Sequence, residues 1–181
     1  MSNDLATEFL NHGLLEVGVF QTEQGQRSYR LHVDMLPAYP ALLTTCAQTI
    51  AMRIVTVDRL VCPPDSVPLG VAVSLQTKLP LVYSRGRGEA PVQDWVGAYD
   101  VGHPAALICN VLPDQERWAL WHKQLASVGL NVVQIIALLE IKPLTVDVSV
   151  YSLLNLGEWL RSAPEILPAG IVQTMLAELQ K

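Results

Sequence analysis

Short apolar runs alternate with longer amphipathic segments through the middle of the chain. Near-continuous apolar runs predict buried strands, at Arg59–Cys62, Leu79–Tyr83, Ala105–Val111 and Val132–Leu139. One helix is predicted before the first of these strands, at Pro37–Ile54, and two between later strands, at Pro68–Thr77 and Asp114–Val128. Strands that are apolar on both faces and separated by helices indicate a parallel sheet that is covered on both sides. The pattern therefore predicts an α/β fold.

The N-terminal segment has a different pattern. Leu5 and Phe9 recur at helical spacing and predict a short first helix. Residues 17–20 and 30–33 then flank a polar, glycine-containing stretch at residues 22–26. This arrangement predicts a β-hairpin with its turn near Gly25.

The C-terminal segment predicts one more strand and two helices. Residues 146–150 alternate between apolar and polar, which is typical of a strand at the edge of the sheet or in a small accessory sheet. A helix is predicted over Leu156–Arg161, and a second one after Pro168. The second helix carries one apolar stripe, formed by Ile171, Val172, Met175, Leu176 and Leu179. No linker or repeat divides the chain, so residues 1–181 are expected to form a single domain.

Composition and charge narrow the function classes. Half of the residues are apolar and 16% are charged, against about a quarter charged in ordinary soluble domains. A covered sheet together with a subunit interface would hide this apolar excess. The net charge of −5 argues against nucleic acid or an anionic membrane as partner, because both attract a basic surface.

The cysteines and the sequence before Arg27 bear on the compartment. Cys46, Cys62 and Cys109 are far apart and follow no metal-ligand spacing, which favours three buried thiols in a reducing compartment. No basic residue precedes Arg27, as a secretory signal would need, and the longest apolar stretch, Val132–Ile141, is too short to span a bilayer. We therefore expect a cytoplasmic protein.

Four segments, in this order, resemble those of orotate phosphoribosyltransferases. Phe20–Tyr29 resembles that family's F-x-L-x-S-G-x-x-S-P-Y segment, and Ser66–Ser74 its G-I-P-L-A helix start. Leu79–Arg85 is similar to the strand that ends in an Arg-Lys pair, and Val132–Glu140 to the strand after the donor-site helix. Each match is short, and their shared order and spacing over nearly the whole chain carry the resemblance.

The resemblance implies both a fold and an activity. The fold would be a phosphoribosyltransferase-type, Rossmann-like twisted parallel sheet flanked by helices, with a small N-terminal hood made by the hairpin. Enzymes of this family join a nitrogenous base to 5-phosphoribosyl pyrophosphate, release pyrophosphate, use magnesium, and usually form homodimers with a mobile loop at the neighbouring site.

The resemblance also shows which donor-binding residues this chain has lost. In the family, a strand runs into two acidic residues and a T-T-G-G-like loop whose backbone N–H groups hold the phosphate at a helix N-terminus. Cys109 and Asn110 stand where the acidic pair is expected. The loop itself is replaced by Pro113, Asp114, Gln115 and Glu116. Proline removes a backbone donor, the glycines are gone, and two carboxylates would repel a phosphate by on the order of a few kcal/mol each.

The family's mobile loop is reduced in the same way. It carries several lysines and a histidine, whereas this chain has Arg85 at the matched position and an unmatched Arg87. These two arginines are a candidate anion-binding loop, although a solvated loop is the somewhat simpler explanation.

The base side of the family's site has counterparts in two segments. Arg27, Ser28 and Tyr29 stand where the family contacts the base, while Ile141 replaces the expected arginine and Lys142 lies beside it. These residues form a candidate base-side pocket for a small anionic or nucleotide-like ligand.

Other candidate chemistry has simpler explanations. Acidic residues at positions 114 and 116 suit a helix N-terminus better than a metal site. The four histidines are scattered and offer no pairing with a nucleophile, so no catalytic residue is assigned. Trp118 and Trp121 have the spacing of a core or interface stripe.

The leading hypothesis is therefore a homodimeric relative of orotate phosphoribosyltransferase without transfer activity, kept for binding or regulation, with no metal or cofactor. The first alternative is an active phosphoribosyltransferase for orotate or another base that uses Arg85, Arg87, Lys142 and Asn110 together with magnesium. The second is an unrelated doubly wound domain for a nucleotide or flavin, which ranks last because no G-x-G-x-x-G turn is present.

Overall fold

The structure, a computed structural model, describes residues 2–22, 25–88, 90–162 and 167–179. Eight strands are present in this part of the chain: β1 (Leu15–Thr22), β2 (Gly25–Leu31), β3 (Arg59–Cys62), β4 (Leu81–Ser84), β5 (Trp95–Val96), β6 (Pro104–Val111), β7 (Asn131–Glu140) and β8 (Ser149–Asn155). Seven α-helices accompany them: α1 (Ser2–Asn11), α2 (Pro40–Ala51), α3 (Val67–Thr77), α4 (Pro91–Asp94), α5 (Gln115–Ser127), α6 (Leu156–Ser162) and α7 (Ala169–Leu179). Within these residues, no helix is both long and apolar enough to cross a membrane.

Six strands form one sheet in the order β5-β4-β3-β6-β7-β8. Each neighbouring pair from β4 to β8 is parallel, and β5 alone runs antiparallel, against β4. The prediction of a helix-flanked parallel sheet is therefore confirmed.

The two central strands separate two apolar cores. Residues 105–110 of β6 and 134–139 of β7 are buried without interruption. Because alternate residues of a strand point to opposite faces, Ala106 and Ile108 join one core while Leu107 and Cys109 join the other. The first core is covered mainly by α1, α2, α3, α6 and α7, and the second mainly by α5. This burial explains the high apolar fraction of the two strands.

The predicted hairpin is confirmed as an antiparallel pair of β1 and β2, in which Thr22 pairs with Gly25. Residues 23 and 24 of the turn lie outside the described residues. The register slips between Val17 and Phe20, which places a β-bulge in β1. Helix α7 returns from the end of the chain to pack against β2.

The predicted helix Pro37–Ile54 is wrong at both ends. A 3-10 helix covers Val33–Ala38, and α2 begins only at Pro40. Tyr39, which precedes this proline, has φ −120° and ψ 76° because a residue before proline avoids the helical region. Proline itself suits the first helical position, where no N–H partner is needed. The helix ends at Ala51, three residues earlier than predicted.

Two predictions at the sheet edges need correction. The segment after β4, for which the sequence predicted neither helix nor strand, contains the short helix α4 and the edge strand β5. At the other edge, the strand predicted at residues 146–150 is β8, which begins at Ser149 and extends to Asn155. Its position at an edge is as predicted, but the alternating valines before it pack on the second core instead of pairing with β7.

Candidate functional site

The carboxyl ends of β3 and β6 lie side by side and open into a cleft. In open α/β sheets this end of the strands is where ligands bind. We name it the donor cleft because it contains Asp114 and Glu116 of the segment predicted to replace the family's donor-binding loop, and its volume is about 630 Å³. It is lined by Pro63, Pro64, Asp65, Asp114, Glu116, Arg117, Leu120 and Trp121.

The lining of the donor cleft is acidic and partly apolar. Asp65, Asp114 and Glu116 supply three carboxylates, and Arg117 supplies the one guanidinium. Among the described residues, no group of three or more histidine, cysteine, aspartate and glutamate side chains is arranged to hold a metal ion. The cleft therefore presents a negative surface.

The N-terminus of α5 is capped by the side chain of Asp114. Asp114 is extended, with φ −71° and ψ 173°, and its Oδ1 accepts a hydrogen bond from the backbone N–H of Arg117 at 2.8 Å. This is the N-cap arrangement that satisfies one free donor of a helix. None of residues 111–116, all of which the structure describes, has a positive φ. Residues 111–116 therefore do not form a nest of backbone N–H groups that could bind an anion. The Asp114 carboxylate instead accepts from the N–H of Arg117 at the start of the helix.

Asn110 and Cys109, the two residues predicted to replace the family's acidic pair, both make contacts within the protein. The backbone N–H of Asn110 donates to Ser66 Oγ at 2.8 Å, and its Nδ2 donates to the carbonyl oxygen of Asp65 at 2.6 Å. Cys109 is fully enclosed, and burial raises the pKa of its thiol far above the ordinary value. Asn110 thus ties the end of β6 to the loop after β3, and Cys109 is part of the core.

The loop after β4 is organised around a buried carboxylate. Asp94 is 7% exposed and accepts hydrogen bonds from the hydroxyl of Ser84 and, at 3.1 Å, from the backbone N–H of Arg87. The N–H of Arg85 donates to the carbonyl oxygen of Asp94 at 2.9 Å. These bonds fold the described part of the loop back on β4.

The same loop touches the donor cleft at one point. Gly86 has φ +67°, and a Cβ atom built on it would lie 2.6 Å from Cγ of Pro64, which lines the cleft. The side chains of Arg85 and Arg87 are exposed. The predicted anion-binding arginines therefore lie on a loop that packs against the cleft wall, and neither is among the residues that line the cleft.

A second pocket brings the two predicted base-side segments together. Arg27 and Tyr29 of β2 and Lys142 after β7 line one cavity of about 470 Å³, which we name the base-side pocket. Its remaining walls are Gln26, Ile141, Glu178 and Leu179. Ser28 is buried in the strand between two of these residues.

Glu178 is the member of this pocket that the sequence did not reveal. Its Oε2 accepts a hydrogen bond from the backbone N–H of Ser28 at 3.1 Å. Burial raises the pKa of the Tyr29 phenol, Arg27 lowers it, and Glu178 raises it further, which shows that these charges lie close together. Glu178 belongs to α7. The apolar stripe was the only signal for this helix in the sequence, and Glu178 lies outside that stripe.

A third cavity, of about 590 Å³, was also missed. Its walls come from α1, α2, β8 and α6 together with Arg53 and Glu140. The Arg53 guanidinium lies 5.1 Å from the Tyr151 ring centroid, and the Ser152 hydroxyl donates to Glu140. Residues from so many separate elements share no sequence motif that would have identified them.

The remaining predictions concern single residues. Trp118 is buried in the second core, as predicted, and Trp121 is half-buried on the wall of the donor cleft. The three cysteines are free and buried, which was also predicted. The histidines stay scattered, and His122 stacks on Trp118 with ring centroids 5.1 Å apart.

Comparison with known proteins finds similarity only at the level of structure. No protein-family model matches the sequence, and no curated protein matches it significantly. Among solved structures, UMP synthase of Leishmania donovani superposes with a TM-score of 0.80 at 22% identity, over 98% of this chain and 42% of that one. Two orotate phosphoribosyltransferases are also similar. That of Francisella tularensis has a TM-score of 0.73 at 18% identity, over 99% of this chain and 96% of that one. That of Aeropyrum pernix has a TM-score of 0.69 at 16% identity, over 87% of this chain and 97% of that one. The chain spans less than half the length of the UMP synthase, and its fold is that of the orotate phosphoribosyltransferases.

Proposed function

We propose that this chain is a binding or regulatory protein on an orotate phosphoribosyltransferase-like fold, without phosphoribosyl transfer activity. The observation that carries the proposal is the N-cap at α5, where the Asp114 carboxylate holds the N–H of Arg117 at 2.8 Å. A phosphate at this helix start would have to compete with that carboxylate for the same donor.

Electrostatics act against the donor in the same cleft. The donor brings a 5′-phosphate and a pyrophosphate to a surface with three carboxylates and one guanidinium. Each close pair of like charges near a protein surface costs on the order of a few kcal/mol, and each 1.4 kcal/mol is tenfold in affinity. Two such pairs would weaken donor binding by roughly a thousandfold or more.

The alternative function is phosphoribosyl transfer to orotate or another base at a non-standard site with magnesium. The observation in its favour is the exposed pair Arg85 and Arg87 on a loop that packs against the cleft wall. Asn110, which this alternative also needs, already donates to Ser66 and Asp65 through its backbone and side chain. The first proposal therefore agrees with the hydrogen bonds of Asn110, whereas the alternative would require Asn110 to give them up.

A titration of the protein with 5-phosphoribosyl pyrophosphate and Mg²⁺ separates the two functions. We expect no binding at micromolar donor and no pyrophosphate release with orotate or with a panel of other bases. Micromolar donor binding without turnover would refute the electrostatic argument. Pyrophosphate release with any base would establish the alternative.

The proposal includes a homodimer in the cytoplasm. An exposed apolar surface at the ends of α2 and α3 supports the dimer, with Met52 73% exposed and Leu75 65% exposed. Val55 and Val71 are also exposed, and a shallow depression joins the segment after α2 to the end of α3. The three free, buried thiols are compatible with a reducing compartment.

A further inference from the structure

The third cavity shares no lining residue with the donor cleft or the base-side pocket. Its volume is about 590 Å³, and small-molecule sites in proteins have volumes of about 300 to 1,000 Å³. We name it the helix–edge cavity, because α1, α2 and α6 surround it together with β8, the strand at the edge of the sheet. Its walls include Leu5 of α1, Leu42 and Cys46 of α2, Tyr151 and Leu153 of β8, and Glu158 of α6.

The inner wall of this cavity is apolar. Leu42 and Cys46 are buried, while Leu5 and Leu153 are half-buried and pack against the first core. Together they form a surface on which an apolar group of a ligand would be removed from water. Sites of this kind bind mainly through apolar contacts and use a few polar groups to fix the orientation of the ligand.

One carboxylate of this cavity has no cationic partner. Glu140 lies at the end of β7, is half-buried, and accepts a hydrogen bond from the Ser152 hydroxyl. The ion pairs found among the described residues are made by His12 and His32 with other carboxylates. A carboxylate that is partly removed from water is stabilised by a positive charge close to it. The vacant partner position at Glu140 therefore suits a positively charged nitrogen.

The other charges of the cavity favour the same sign of ligand. Arg53 supplies the one guanidinium, and it lies over the ring of Tyr151, 5.1 Å from the ring centroid, instead of pairing with a described carboxylate. The carbonyl oxygen of Arg53 accepts from the side-chain amide of the buried Gln134 at 2.9 Å, which fixes its main chain. Against this guanidinium stand four carboxylates, at positions 4, 8, 140 and 158. The surplus of negative charge attracts a cation and repels an anion.

We propose that the helix–edge cavity binds a small amine whose protonated nitrogen pairs with Glu140 and whose apolar body covers Leu42 and Leu153. This inference goes beyond the proposed function, because it assigns a second site and does not depend on what the donor cleft binds.

Isothermal titration calorimetry with four probes tests the class of ligand. Phenethylamine carries both the positive charge and an apolar body. Phenethyl alcohol has the same body without charge, hydrocinnamate has a similar body with a negative charge, and ethylamine has the charge without the ring. We expect phenethylamine to bind the wild-type protein about tenfold or more tightly than each of the other three.

Glu140→Gln tests the proposed ion pair. The glutamine keeps the size of the side chain and still accepts from Ser152, so the change removes mainly the negative charge. It should weaken the binding of phenethylamine about tenfold or more and leave that of phenethyl alcohol unchanged. Asp147→Asn is the control, because it removes an exposed carboxylate that does not line the cavity. This variant should bind phenethylamine like the wild type.

Two threonines of α2 offer a matched pair for testing the location. Thr44 and Thr45 are both exposed, and each hydroxyl donates to the carbonyl oxygen four residues earlier, at 2.8 and 3.0 Å. Only Thr45 lines the cavity. Thr45→Phe should narrow it and weaken the binding of phenethylamine about tenfold or more, whereas Thr44→Phe should leave binding unchanged.

Four outcomes would overturn the proposal. Phenethylamine does not bind the wild type at millimolar concentration, or phenethyl alcohol binds as tightly as phenethylamine does. Alternatively, Glu140→Gln binds like Asp147→Asn, or Thr45→Phe binds like Thr44→Phe. Circular dichroism and thermal unfolding check that each variant is folded, and the charge and location variants are independent of each other. No phosphoribosyl donor is present in these measurements, so their failure would leave the donor titration as a separate test of the proposed function.

Discussion

At the scale of single residues, the donor cleft differs from an anion site through what its side chains already bond to. Asp114 caps the helix that a phosphate would approach, and Asn110 ties the end of β6 to the loop after β3 through Ser66 and Asp65. A ligand that bound to either residue would have to break these hydrogen bonds within the protein. The same is true of Glu178, whose carboxylate accepts a hydrogen bond from the backbone N–H of Ser28.

Because of the buried thiols, the free energy of unfolding should depend on pH in the alkaline range. Burial raises the pKa of Cys46 and of Cys62 from 9.0 to about 12, with Asp65 adding to the effect at Cys62. A raised pKa means that the folded state favours the neutral thiol. This contribution is therefore complete below pH 9 and is lost as the pH rises towards 12.

We accordingly expect the free energy of unfolding to fall above pH 9, by up to about 1.4 kcal/mol per pH unit for each thiol. Urea unfolding at about pH 8 and about pH 10.5 measures this fall. Cys62→Ala should be less stable at the lower pH and lose less on going to the higher pH. If the free energy of unfolding falls by the same amount in the variant and the wild type, the Cys62 thiol does not contribute to the pH dependence.

At the scale of elements, the beginning of α5 depends on one side chain. Asp114→Ala removes the acceptor of the Arg117 N–H, and loss of an N-cap typically costs ~1 kcal/mol. Asp114→Ser keeps an N-cap acceptor and should recover most of that stability. Chemical unfolding of the two variants beside the wild type measures the difference. Equal stability of the alanine and serine variants would show that the cap contributes nothing.

The loop after β4 offers a matched pair of glycines. Gly86 and Gly88 have φ of +67° and +68°, so alanine is strained at both positions by about 1 to 2 kcal/mol. Only at Gly86 would the new Cβ atom meet another residue, at 2.6 Å from Cγ of Pro64.

Gly86→Ala should therefore lower the melting temperature more than Gly88→Ala does, because the loop or Pro64 must also move. Differential scanning calorimetry of the two variants isolates the contact, since the backbone strain is common to both. Equal melting temperatures would mean that the loop does not pack on the wall of the donor cleft.

At the scale of the whole molecule, the apolar surface at the ends of α2 and α3 is the feature that an assembly would cover. Leu75→Lys places a charge in this surface at a position that is 65% exposed. We expect it to convert the proposed dimer into monomers with little change in the stability of the fold, as judged by light scattering coupled to size-exclusion chromatography.

Val101→Lys is the control for this experiment. Val101 is 89% exposed and lies in the loop between β5 and β6, which packs on Gly129 after α5. The same change in charge there should leave the mass unchanged. A wild-type protein that is monomeric at all concentrations would contradict the dimer, and a dimer that survives Leu75→Lys would contradict this surface.

Much of the fold could be predicted because its strands are buried on both faces. The predicted strand at residues 59–62 has the same bounds as β3, and β6 and β7 extend the predicted strands by a residue at one or both ends. Strands that bury every side chain leave an unbroken apolar run in the sequence. Segments with mixed environments were predicted less well. The two-residue strand β5 carries too few residues for a period, and the start of α2 was set by the conformation of Tyr39 before a proline.

The sequence by itself determined the order of strands and helices and the resemblance to orotate phosphoribosyltransferases, and it predicted the replacement of the donor-binding loop, because these are properties of consecutive residues. Only the tertiary structure decided that Arg27, Tyr29 and Lys142 share one pocket and that Glu178 enters it. The physical reason is that the pocket joins a hairpin, the end of a central strand and the last helix. Side chains that meet only after the chain has folded leave no common period or spacing in the sequence.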